Sequence, residues 1–238
     1  MWRGTHFRRR AVGLARTLID ECGRSHYRSL GRRRVPARKY GPTAPAVDHT
    51  VRSLAEVDGD LSGQAHDHVA FVDLDLTEVP TTGAVLDSCT FRGVRFNASG
   101  YSDTAFINCV FVRCSFFDTS FDACKFTGSL FDGCTHDLMK VSGGDWSFVG
   151  LSRAKLSRTS FVGVRMREAD LTGSRCDGAT LRDNDLSGAL WDGADLSGAD
   201  LRGSDLSALD PLAVTLRGAR IDPWQAIVVA TALGLAVD

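Results

Sequence analysis

What these 238 residues lack narrows the field before any pattern is sought. No run of eighteen apolar residues occurs, so no membrane-spanning helix is expected. The N-terminus carries arginines but no apolar stretch ending in a small-residue cleavage site; this argues against a secretory signal and predicts a cytoplasmic protein. There is no CxxC pair, no phosphate-cradling glycine loop and no nucleophile elbow, so the chain is expected not to be an enzyme and to hold no metal or cofactor. Proline is scarce, at 6 residues, and half of it (Pro36, Pro42, Pro45) falls in one short stretch. Net charge is almost absent, at −1.

That small total hides an asymmetry. Residues 1–57 hold 13 Lys and Arg against 4 Asp and Glu, while residues 58–238 hold 15 against 25. The first segment, with Arg8-Arg9-Arg10, Arg32-Arg33-Arg34 and Arg38-Lys39, shows no sustained periodicity beyond a short helical pattern around Ala11 to Cys22. It is expected to be a basic, largely disordered arm. Three roles stay open for it: nucleic-acid binding through phosphate contacts, folding back on the acidic remainder, or no selected function.

Beyond the arm the chain repeats itself every five residues. Stepping by five from Phe71 to Ile221 visits 31 positions, of which 21 are Leu or Phe, with no insertion. Ten of the 13 phenylalanines lie on this column, so its residues must point inward. Two residues before each centre stands a second column of small residues: Ala84, Cys89, Val94, Cys109 and Cys114, and later Ala189, Ala194 and Ala199. A small and a large residue recurring together every five fits neither a helix at 3.6 nor a strand at 2. It fits a coil of short straight sides.

Ala-Asp-Leu-Thr-Gly at 169–173, Ala-Asp-Leu-Ser-Gly at 194–198 and Ala-Asp-Leu-Arg-Gly at 199–203 resemble the repeat of the pentapeptide-repeat family. The resemblance covers about residues 69–221. It implies an all-β solenoid, a right-handed quadrilateral β-helix with four repeats to a coil. The expected domains are the arm over 1–57, the β-helix over 58–221 and a C-terminal helix over 222–238. Residues twenty apart should then stack, as Phe71, Phe91, Phe111 and Phe131 would, with leucines such as Leu181 and Leu201 taking over later. Thirty-one repeats make nearly eight coils, a rod roughly 37 Å long.

Within this frame Cys89, Cys109, Cys114, Cys124 and Cys134 belong to the small inward column and Cys176 to the large one; free buried thiols are expected. His136 falls on the large column, as a neutral, hydrogen-bonded imidazole. His66-Asp67-His68 lies at the solenoid entry, where polar capping turns suffice as explanation. The C-terminus leaves the period. Asp222-Pro223 supplies an N-cap and a first-turn proline before the apolar run Trp224 to Leu235. One side of this helix should cap the last coil. The other, with Trp224, Ile227, Val228 and Leu233, should support a homodimer.

Ile-Asp-Pro-Trp-Gln-Ala-Ile followed by Ala-Thr-Ala-Leu-Gly-Leu resembles the tail of the family's mycobacterial fluoroquinolone-resistance branch. That resemblance implies a partner, DNA gyrase, bound by mimicry of the width and negative charge of duplex DNA. The acids are concentrated: residues 168–210 hold ten against three arginines. The candidate partner-binding set is Asp170, Asp177, Asp185, Asp192, Asp195, Asp200 and Asp205, with no catalytic or metal residue. A scaffolding solenoid that binds some other protein is the alternative.

Overall fold

The computed structural model describes residues 45–237, so the disorder expected of the arm over 1–44 lies outside the described residues. Within them the chain winds as a parallel β-solenoid with a coil of twenty residues: His49 pairs with Val69, Ala70 with Thr90, Thr90 with Val110, and Val110 with Leu130. One side is a five-stranded sheet of His49–Val51, Val69–Val72, Thr90–Arg92, Val110–Val112 and Leu130–Asp132. A six-stranded sheet runs from Thr81–Thr82 to Thr180–Arg182, and a three-stranded one joins Ala65–Asp67, Val85–Asp87 and Ala105–Ile107. The fourth side is held by single bridges, from Asp75↔Arg95 to Asp195↔Thr215.

The winding starts earlier than residue 58. The strand His49–Val51 lies in the stretch assigned to the arm, yet it is fully paired to Val69–Phe71. The five-residue column breaks there because Glu56 is exposed, and Val57, at the end of a short 3-10 turn, fills the interior instead. A single displaced apolar residue hides the first coil from a count by fives.

The inward column stacks as expected. Phe71, Phe91, Phe111 and Phe131 follow one another at 4.8, 4.8 and 4.7 Å between ring centres, the spacing of parallel strands. Phe96 stacks on Phe116 at 4.8 Å and Phe106 on Phe126 at 4.7 Å, and neighbouring columns meet edge to face. The aromatic run ends at Trp146, the largest fully buried side chain. From Leu151 to Leu206 the filling is mainly leucine, with Phe161 and Trp191 as the late aromatics.

The small column solves a hydrogen-bond problem at each corner, where a buried backbone N–H needs an acceptor. Alanines use the carbonyl three residues back, as when Ala179 N–H donates to Cys176 O and Ala199 N–H to Leu196 O. Polar residues of the column, such as Ser129 and Ser204, keep that bond and bridge coils as well. Ser129 Oγ accepts from Cys109 N–H and donates to Phe106 O, and Ser204 does the same for Asn184 N–H and Leu181 O. Cys134 Sγ does so for Cys114 N–H and Phe111 O. The six described cysteines are free thiols; Cys134 is half-exposed rather than buried as expected.

Both ends are closed by an amide. The chain has two glutamines. Gln64 Nε2 donates to Val57 O and Asp60 O at the first coil, and Gln225 Nε2 to Leu201 O and Ser204 O at the last. Gln225 belongs to the helix Pro223–Ala232, whose N-cap is Asp222 with a reciprocal capping box to Gln225. Capping therefore runs through one polar side chain; the apolar face expected to cover the coil leaves Gln225 as the helix's one fully buried residue.

His136 departs from its expected state. It stacks 5.7 Å above Phe116, 2% exposed, and neither ring nitrogen has a hydrogen-bond partner among the described residues. Burial, weakly opposed by the Lys155 backbone, pulls its pKa down to about 4. The folded pKa thus lies below the unfolded one, so the unfolded chain takes up a proton first as pH falls. Stability is fully present above about pH 6.5 and is lost by about 3 kcal/mol on descending to pH 4. In urea titrations His136→Phe should flatten that slope; an unchanged slope contradicts this origin. A second expectation concerns Gly144, at φ +84°, where an added Cβ would lie 2.0 Å from the Cys124 carbonyl oxygen. Gly144→Ala should cost about 2–4 kcal/mol in the same assay, whereas alanine at the open corner Gly163 should cost about 1.

Candidate interaction surface

The residue before each centre and the two after it are mostly exposed or half-buried, with Ala70, Thr90, Val110 and Ser147 the buried exceptions among the described residues. Where the preceding residue is Asp, its carboxylate folds over the corner that follows. Asp170 Oδ1 accepts from Thr172 N–H at 3.0 Å, Asp195 from Ser197 N–H at 3.0 Å, and Asp205 from Ser207 N–H at 2.8 Å. Asp185 holds both the N–H and the hydroxyl of Ser187. These acids secure turns with one oxygen; at Asp170, Asp195 and Asp205 the other has no hydrogen-bond partner among the described residues, and at Asp185 it meets Arg167. The signal was in the sequence as Asp-x-Ser/Thr, for example Asp195-x-Ser197.

Several acids also meet arginine. Arg202 grips Asp200 with Nε at 2.8 Å and Nη2 at 2.6 Å, and Arg220 stands 3.9 Å away. Arg202 is the main reason the Asp200 carboxyl is held down to about 2. At Asp185, burial pushes upward but is outweighed by Ser187 and by Arg167, so the net direction is down. Asp195 is lowered chiefly by Ser197. Asp177 accepts from Ser157 Oγ at 2.7 Å, with Arg175 at 3.9 Å. Asp192 is exposed and has no side-chain bond or ion pair among the described residues.

By the twenty-residue register the seven candidates do not converge on one side. Asp170 and Asp192 lie on the side continued from the five-stranded sheet, Asp177 and Asp195 on the bridged side, Asp200 on the six-stranded side, and Asp185 and Asp205 on the side continued from the three-stranded sheet. They form a band around the last coils. No group of three or more His, Cys, Asp or Glu suited to a metal occurs among the described residues.

Beside the band stands the helix. Trp224 is 77% exposed, Ile227 and Val228 each 38%, and Leu233 46%. All four expected contact residues thus point at least partly to solvent, and Leu235 and Leu212 join them. An open depression between the helix and the coil is lined by Ser207, Ile227, Val228, Thr231 and Ala232. Together these residues form an exposed apolar patch at the C-terminal end of the solenoid. No helix among the described residues is long and apolar enough to cross a membrane.

The family model described as pentapeptide repeats matches residues 151–188 and 185–210, in eight copies. Among solved structures, a trypsin-treated variant of QnrB1, a plasmid-mediated fluoroquinolone resistance protein, is similar at 22% identity, covering 81% of this chain and 97% of that one, with a TM-score of 0.49. Full-length QnrB1 is similar at 19% identity, over 79% and 98% of the two chains, with a TM-score of 0.36. HetL, a pentapeptide repeat protein involved in heterocyst differentiation regulation from the cyanobacterium Nostoc, is similar at 16% identity, over 69% and 91%, with a TM-score of 0.28. No curated protein matches the chain.

The two kinds of acid separate by stability. Asp195→Ala removes a turn bond and should lower stability by about 1 kcal/mol, while Asp192→Ala should stay within about 0.5 kcal/mol in thermal or urea unfolding. Equal losses at both positions would contradict the turn role.

Proposed function

We propose that this chain, a member of the pentapeptide-repeat family, is a non-catalytic binding protein whose last two coils occupy the basic DNA-binding surface of DNA gyrase and so modulate fluoroquinolone action. The observation that carries this is charge density. Residues 168–210 carry a net −7 over about two coils, roughly 10 Å of axis, or one negative charge per ~1.5 Å. Duplex DNA carries one per ~1.7 Å. Residues 58–167, with 13 acids against 10 bases, carry one per roughly 9 Å. Only the C-terminal part matches the nucleic acid.

The distribution of these charges around the coil supports the same reading. A duplex presents phosphates on every side, and the band likewise carries carboxylates on all four sides. The turn bonds from Asp170, Asp195 and Asp205 hold their carboxylates in place before binding, which lowers the ordering cost of recognition. The exposed helix residues Trp224, Ile227, Val228 and Leu233 support a tail-to-tail homodimer. Two acidic bands would then adjoin and double the length of the negative segment.

Asn keeps the turn bond that Asp makes but removes the charge. The triple variant Asp192→Asn, Asp195→Asn, Asp205→Asn should therefore fold normally and thin the band to one charge per ~2.6 Å. In gyrase supercoiling and quinolone-induced cleavage assays, the native chain should inhibit or protect in a dose-dependent way, and the triple variant should need at least ten-fold more protein. A native chain without effect over a wide concentration range refutes the proposal. An unweakened variant refutes the role of the band.

A further inference from the structure

Each side of the solenoid carries exposed apolar residues, Val85 on the three-stranded side and Phe117 on the bridged one among them. The six-stranded side presents Val162 among Thr82, Ser102, Ser120, Ser142, Ser160 and Thr180. The five-stranded side presents Val72, Val112 and Leu130, half-exposed, and it continues through the bridges Leu130↔Gly150, Gly150↔Asp170 and Asp170↔Leu190. Leu190 is 56% exposed there. Gly150 has no side chain, and Leu130 leans into the space, so the surface stays flat.

Charges on this side are sorted along the axis. Arg52, Arg92 and, at one edge, Arg113 lie in its first half and Asp132, Asp170 and Asp192 in its second, with Asp73 and the edge residue Arg153 the exceptions. Arg92, Asp132, Arg153 and Asp192 have no ion-pair partner among the described residues, whereas Arg95, Lys140, Arg158, Arg165 and Arg167 each hold an aspartate.

We propose that this side is self-complementary and that two copies of the chain pack on it with their axes antiparallel. Consider a two-fold axis in the plane of the contact, perpendicular to the solenoid and midway between the coils of Leu130 and Gly150. It sets Arg92 of each copy against Asp192 of the other and brings Arg153 to Asp132. It also sets Leu130 opposite Gly150, Val112 opposite Thr172 and Thr90 opposite Leu190. Each contact occurs twice. A parallel packing would oppose Arg92 to Arg92 and Asp192 to Asp192, which like-charge repulsion disfavours.

The overlap measures roughly 40 by 12 Å, or on the order of 1,000 Å² over both copies, below a standard stable interface. The association is therefore weak, concentration-dependent and reduced by salt. It needs neither the helix nor gyrase. It does cover Asp170 and Asp192, so self-association competes with any partner that uses them.

Cysteine placed at both positions tests the geometry. Within one chain residues 92 and 192 are five coils apart, about 24 Å, far beyond disulfide reach, so a bond between them must join two chains. The full chain carrying Arg92→Cys and Asp192→Cys, treated with oxidised glutathione, should yield a covalent dimer, each bond releasing two reduced glutathiones. Neither single variant should exceed the native chain. Sedimentation velocity gives an independent reading, repeated with Trp224→Asp so that tail association does not contribute. Arg92→Asp or Asp192→Arg alone should weaken self-association at least ten-fold, and the two together should restore it to within about three-fold. A double cysteine variant that stays monomeric, or a double reversal no better than the single ones, overturns the proposal.

Discussion

Everything in this molecule follows from one constraint: each residue lies on the residue twenty positions earlier, at the spacing of a parallel strand pair. Backbone hydrogen bonds fix that spacing, from Asp48 N–H to His68 O at one end to Leu201 N–H to Arg220 O at the other. Because neighbours in a column are one strand apart, flat rings can stack at 4.7 to 4.8 Å without adjustment. The same constraint leaves some corners open, as at Gly163, and others without room. Where two backbones come too close, as at Gly144 and Cys124, a methyl group is already too much.

A fold of this kind turns sequence into a linear map of surface. Charge, apolar area and polar area can vary along the axis without disturbing the interior, since each coil touches only its neighbours. The protein uses that freedom. Its early coils are nearly neutral, its last two match the linear charge of a duplex, and its end presents bare Trp224 and Leu233. Carboxylates that also fasten corners do both jobs because an aspartate has two oxygens. One is bonded to the turn, and at Asp170, Asp195 and Asp205 the other has no hydrogen-bond partner among the described residues.

Much of this was legible from spacing alone. The column from Phe71 to Leu206, the small residues two before it and the helix start at Asp222-Pro223 all stand where counting placed them. What escaped depended on geometry that a period does not encode. The coil that starts at His49 was hidden because Val57, not residue 56, turns inward. The arginine partners of Asp185 and Asp200 were not legible, since long side chains choose among several carboxylates within reach. Gln225 was buried in an apolar run whose helix it anchors to the last coil, so its neighbours drew attention instead. His136 was placed correctly inside, but whether its ring nitrogens meet a partner there depends on side-chain geometry that the period does not encode.

The central claim is that recognition lies in the density of charge on the last two coils. Salt dependence measures that most directly. If the band takes the place of duplex DNA, the affinity of the full chain for gyrase should fall steeply and linearly on a log–log plot against salt between about 50 and 200 mM, and short duplex DNA should displace the protein. An affinity that is flat across that range, with protein and duplex bound together, would contradict the account.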